Sequence, residues 1–151
     1  MSLQTTIKDG IKDAMKNKDM ARLTVLRGLS SAFMNESVNL NRGPQGELTD
    51  EEVIAVLMRE AKRRKDSIQQ YTEGGREDLA GDEKTELAVI EEYLPAMMSV
   101  DEIRPIAEAK KAELGIDDKT KAGMLTGAIM KDLKGKANGD DVKAVVESLF
   151  A

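Results

Sequence analysis

Residues 49–75 read TDEEVIAVLMREAKRRKDSIQQYTEGG, and this stretch decides the fold class. Thr49 and Glu52 stand three apart, the spacing of a capping box, in which the threonine oxygen accepts from the Glu52 amide while the glutamate reaches back. Val53 or Ile54, Leu57, Ala61, position 64, Ile68 and Tyr71 follow at steps of three and four, so they line one helix face. Gly74 and Gly75 end the run, since glycine tolerates the left-handed conformation of a helix C-cap. The same punctuation recurs on both sides. Upstream, Ser2 caps a helix reaching about Asn17, with Leu3, Ile7, Ile11, Ala14 and Met15 inward. A second helix starts near Asp19, carries Leu23, Leu26, Leu29 or Ser30, Phe33 and Ser37, and fades from Asn39 to Arg42. Residues 41–46 hold two glycines and a proline and read as a loop. Downstream, a helix from about Glu77 aligns Leu79, position 83, Leu87, Ile90 and Leu94, and Pro95 stops it by removing a donor and restricting Leu94.

Past Pro95, residues 95–98 read as a hinge. Ser99 and Glu102 form a second capping box, opening a fifth helix that ends at Leu114-Gly115. Pro105 inside it predicts a kink or a later start. A sixth helix spans about Lys119 to Lys134 and closes at Gly135. Asn138-Gly139 is a turn, and Asp140 caps a seventh helix whose face is Val142, Val145, Val146, Leu149 and Phe150. No segment combines period-two alternation with hairpin turns. The expected fold is all-α, a four-helix N-terminal bundle over 1–95 and a three-helix C-terminal domain over 96–151.

Composition agrees. Charged residues make up 34% of the 151 and aromatics only 3%, namely Phe33, Phe150, Tyr71 and Tyr93, which suits helices with narrow apolar stripes and broad wet faces. With no cysteine and no histidine, thiolate nucleophiles, Cys/His zinc sites, histidine bases and Ser-His or Cys-His triads are excluded. The net charge of −5 repels nucleic acid and anionic membranes, so any polyanion must be met by a local basic patch. The first ten residues lack an apolar signal core, and the longest apolar run, Val53 to Met58, is far short of the ~20 residues that cross a bilayer. The expected placement is cytoplasmic, away from membranes.

Three clusters carry possible chemistry. Arg59, Lys62, Arg63, Arg64 and Lys65 form a basic run that reads mostly as a solvated helix face. Arg64 differs, because it interrupts the apolar line. In a hairpin turning at Gly74-Gly75 it falls opposite Glu86, with Glu83 a turn away, and a structural ion pair with Glu83 or Glu86 is expected. The carboxylates Glu83, Glu86, Glu91 and Glu92 lack the Glu-x-x-His motifs of a di-metal bundle, so no metal, cofactor or catalytic residue is assigned. The third cluster runs from Lys119 to Gly139. Gly123 and Gly127 share a helix face at about 1 kcal/mol each relative to Ala, so close approach of the fifth or seventh helix, or of an external ligand, is a reason for them. From Lys119 to Lys136, Lys119, Lys121, Lys131, Lys134 and Lys136 stand against Asp132 alone, a local charge of +4. Lysines beside bare glycine backbone, without aromatics, suit phosphate contact and not base stacking. Asp140 and Asp141 repel an anion from the start of the seventh helix.

Gly123-x-x-x-Gly127-x-x-Met130-x-x-x-Lys134-Gly135-Lys136-Ala-Asn-Gly139, followed by a short apolar helix, resembles the tail domain of the B subunit of tRNA-dependent amidotransferases. Arg22-Leu23-x-x-Leu26-Arg27, Lys62-x-Arg64-x-Asp66-Ser67, Gly75-Arg76-x-Asp78-Leu79 and Glu91-Glu-Tyr93-Leu94-Pro95 extend the likeness over essentially the whole chain, which resembles the stand-alone YqeY family. The resemblance implies a helical bundle followed by a three-helix tail that touches tRNA, and it carries no active site. The leading expectation is therefore a non-catalytic module that recognises tRNA or another structured RNA, with Lys131, Lys134 and Lys136 on phosphates. Lys119 and Lys121 would assist, and Gly123, Gly127 and Gly135 would permit close approach or tight packing. The alternatives are a protein-interaction module docking to a tRNA-processing or amidotransferase complex, and an accessory to carbon–nitrogen ligation with glutamine as amide donor.

Overall fold

The computed structural model describes residues 2–151. Its helices are α1 (Leu3–Lys16), α2 (Met20–Asn39), α3 (Asp50–Glu73), α4 (Glu77–Tyr93), α5 (Val100–Leu114), α6 (Ala122–Leu133), preceded by a 3-10 turn (Lys119–Lys121), and α7 (Gly139–Leu149). No strand occurs among the described residues. Most starts follow from capping. Ser2 accepts from the Thr5 amide, Asp19 from the Arg22 amide, and both capping boxes, Thr49 with Glu52 and Ser99 with Glu102, are complete.

Several details depart from expectation. Gly74 keeps a near-helical φ of −82°, and it is Gly75, at φ +74°, that takes the left-handed position after α3. Helix α5 starts at its capping box and runs through Pro105, which is exposed on the wet side. The sixth helix begins as a 3-10 turn and ends before Lys134, whose backbone is already extended. Asn138, not Asp140, occupies the N-cap of α7 and makes no side-chain cap bond; Asp140 and Asp141 lie in the first turn, where carboxylates favour the helix dipole.

Two compact units result, one ending at Leu94 and one spanning Pro95–Ala151. The first buries Ile7, Leu26, Leu29, Val53, Leu57 and Ile90 at its centre. Helix α2 packs against α1, α3 and α4, so it buries Val25 as well as the expected stripe. Met15, expected inside, is 54% exposed. It lies about 80° around the helix from Ile7 at 3.6 residues per turn, and Ala14 takes the core position in its place. The loop between α2 and α3 is fixed by polar contacts. Buried Ser37 donates to the Gly43 carbonyl at 2.6 Å, and Arg42 forks onto Glu52 at 2.6 and 2.9 Å. Leu48 is buried from this loop, its amide donating to Gln4 at 3.0 Å.

The last turn of α4 is held by two other helices. The Tyr93 hydroxyl accepts from Arg22 Nη2 at 3.0 Å, and Arg22 Nη1 reaches Glu92 at 2.7 Å. That hydroxyl occupies the space beside Gly10, where an added Cβ would lie 2.5 Å from it. A bare position on α1 is thus the condition for seating Tyr93.

In the second unit, Ile103 and Ala107 of α5 meet Leu125 and Ile129 of α6 and Val142 and Val145 of α7. Arg104 donates to Ser148 at 2.9 Å, and Lys111 lies 5.1 Å from the centroid of the Phe150 ring, so α5 and α7 are clamped at their polar edges. The Met98 amide donates to the Lys136 carbonyl at 2.9 Å, which ties residue 98 to this unit.

Gly10→Ala lowers the melting temperature in the native chain but not in a Tyr93→Phe background, where the hydroxyl it collides with is gone; a double-mutant cycle by thermal denaturation measures the coupling. Glu52 is held down to about 2 from an ordinary 4.5, first by the Arg42 hydrogen bond and then by the Thr49 amide. Because the folded value is the lower one, this stabilisation is full above pH 4.5 and fades as pH falls toward 2. Arg42→Gln is expected to flatten that part of the melting temperature–pH curve.

Candidate nucleic-acid interface

Helix α6 has two dissimilar faces. Leu125, Ile129 and Leu133 point into the core of the second unit. On the other side Gly123 and Gly127 face open space, and a Cβ on either would meet nothing within 4 Å. Packing against the fifth or seventh helix is therefore not the reason for these glycines. Met124 stands beside them at 63% exposure. Gly135 is different, with φ +76° in the turn after α6 that lets the chain reverse into α7.

The lysines bracket this bare flank. Lys119 and Lys121 lie in the 3-10 turn ahead of α6, Lys131 in its last turn, Lys134 at its C-cap and Lys136 just beyond, and all five are exposed. Twelve residues of helix set the two groups about 18 Å apart. Asp132, the single acid of the segment, is engaged from outside it, with Lys110 of α5 at 2.9 Å from its carboxylate. That hydrogen bond holds the Asp132 carboxyl below its ordinary range and raises the Lys110 ammonium. Lys110 also lies 3.4 Å from Glu113, and Lys131 adds to the field on Asp132. Lys110 lies outside the glycine–lysine motif and was not legible as part of it. Its only sequence signal is its place on the amphipathic α5.

The structural pair lies in the other unit. Arg64 Nε is 3.4 Å from Glu86 Oε2 across the α3–α4 hairpin, with both side chains mostly shielded. Glu83 Oε2 is buried, and neither it nor Arg64 Nε has a hydrogen-bond partner. Of the basic run around Arg64, Arg59 reaches Glu36 at 2.8 Å and Arg63 reaches Glu60 at 3.2 Å, so this side carries compensated charge. Among the described residues no three carboxylates gather to hold a metal ion, and no helix is long and apolar enough to cross a membrane.

The family model for Yqey-like proteins matches residues 4–150, and the chain belongs to this YqeY-like family. It is similar to three fungal proteins named "Altered inheritance of mitochondria protein 41, mitochondrial". The relative from Vanderwaltozyma polyspora is 30% identical over 111 residues, 74% of this chain and 55% of that protein. That from Pyrenophora tritici-repentis is 27% identical over 128 residues, 84% of this chain and 68% of that protein. That from Saccharomyces cerevisiae is 30% identical over 117 residues, 78% of this chain and 60% of that protein. The chain thus spans between about half and two thirds of these relatives' own lengths.

The open setting of the two α6 glycines has a measurable consequence. Gly127→Ala raises stability by about 1 kcal/mol, the interior helix-propensity difference with no clash to offset it, and Gly123→Ala, in the first turn, raises it by less. Gly135→Ala lowers it by roughly 1–2 kcal/mol, because its backbone is left-handed. Chemical denaturation of the three variants checks both signs.

Proposed function

We propose that this chain is a non-catalytic helical module that binds tRNA or another structured RNA through the exposed flank of α6. The observation that carries this reading is bare backbone flanked by cations: Gly123 and Gly127 are open to solvent, five exposed lysines stand around them, and Asp132 is bonded to Lys110. Side chains hold a polyanion away from a helix, and glycines let a sugar–phosphate chain come near. The four aromatic side chains are all buried or half-buried, so the unit offers no stacking platform, and phosphates are the contacts that remain. The likeness of this segment to the amidotransferase B-subunit tail supports the same reading. The relatives carry the word mitochondrial in their names, and a cytoplasmic placement of this chain is part of what we propose.

A second reading rests on Met124. An exposed methionine beside bare backbone also fits a protein partner, docking to a tRNA-processing or amidotransferase complex. An accessory part in carbon–nitrogen ligation would follow from such docking and needs no catalytic group on this chain.

The test is a shift assay with total tRNA at low salt. The Lys131/Lys134/Lys136 triple Ala variant is expected to bind more weakly, with the salt slope reduced by roughly 2–3 if three phosphates are lost. Gly123→Ala/Gly127→Ala is expected to weaken RNA binding while stabilising the fold, a combination that a merely structural role does not produce. Equal binding by native and triple-Ala proteins rejects the site. A partner retained through nuclease and high salt favours protein docking.

A further inference from the structure

Helices α3 and α4 extend well past the core they help to build. On α3 the buried residues stop at Ala61, and on α4 they resume at Val89; between them only Ala80 is buried. Residues 62–86 therefore form an arm of two helical segments, each about three turns long, joined at Gly74-Gly75. At its root Arg63 reaches back to Glu60 at 3.2 Å, and toward its tip the bonds are local. Gln69 donates to Glu73 at 3.1 Å, Arg76 forks onto Asp78 at 3.1 and 3.2 Å, and the Arg76 amide donates to the Tyr71 carbonyl at 2.8 Å. The apolar side chains Ile68, Tyr71 and Leu79 are only half-buried.

The root of the arm is polar where a core would be apolar. Arg64 and Glu86 meet there at 3.4 Å, and the buried Arg64 Nε and Glu83 Oε2 lack hydrogen-bond partners. A buried group without a partner is destabilising in the closed state and regains water when the arm opens. Apolar burial in the arm is slight, and its root favours hydration. Opening of the arm is thus cheaper than unfolding of the core.

We propose that residues 62–86 are a conformational device, an arm that opens as one cooperative segment while the rest of the first unit stays folded, with the Arg64–Glu83–Glu86 seam setting how often it does so. The inference is independent of RNA binding, because it rests on residues of the other unit.

Native-state hydrogen exchange of the full chain tests it. Amides of residues 66–84 are expected to exchange at least tenfold faster, relative to their intrinsic rates, than those around Leu26 and Leu29 in α2, and with weaker denaturant dependence. Replacing the seam by apolar residues, Arg64→Met with Glu83→Met and Glu86→Met, is expected to slow arm exchange at least tenfold more than core exchange. The circular dichroism of that variant, read alongside, reports whether it has folded. If it has not, the native chain decides alone: equal protection of arm and α2 overturns the proposal. A folded variant that shifts arm and core alike overturns it too.

Discussion

A chain with four aromatic side chains and no cysteine has to close its cores with Leu, Ile, Val and Ala, and each helix offers one narrow stripe of them. A stripe is covered only by a neighbouring helix, so helix pairing is the constraint on which the rest depends. It makes α2 the hub of the first unit, touching α1, α3 and α4. It also keeps the specific polar contacts at the margins. Arg22 on Tyr93 and Glu92, Arg42 on Glu52 and Arg104 on Ser148 each lock a helix end or a loop that aliphatic packing alone leaves free. These locks are mostly exposed, so they set geometry more than stability.

The same constraint shapes α6. With Leu125, Ile129 and Leu133 devoted to the core, its opposite flank is free to vary, and it is bared by Gly123 and Gly127. Glycine in an exposed helix lowers helix stability and offers no packing in return, and Gly28 of α2 and Gly81 of α4 stand equally open. Lys110 adds to the asymmetry by engaging the only acid of the segment from a neighbouring helix. Charge on this molecule is thus sorted by tertiary contacts. The basic run on α3 is answered by Glu36, Glu60 and Glu86, while the one acid inside the cationic segment around α6 is shared between Lys131 and Lys110 of α5.

Much of the fold was legible because capping and periodicity are local. Thr49 with Glu52 and Ser99 with Glu102 marked the starts of α3 and α5 to the residue, and Pro95 marked the break after α4. The misreadings have local causes as well. Met15 looked apolar and in step, but the helical period carries it past the edge of the stripe. Asp140 looked like a cap, yet the turn through Gly135 and Ala137 brings Asn138 to that place first. Leu48 was missed because a buried loop residue leaves no periodic trace. At the candidate site the lysines and glycines could be named from the sequence, but whether the glycines face protein or solvent could not.

The sequence by itself determined the helices, their order and the residues of the cationic segment, since these follow from interactions within a turn or two of chain. Only the tertiary structure decided what each face meets. That Tyr93 fills the space beside Gly10, that Lys110 engages Asp132, that Gly123 and Gly127 look outward, and that residues 62–86 project beyond the core are relations between segments distant in the chain. They are set by which apolar stripes pack together, and a stripe carries no mark of its partner.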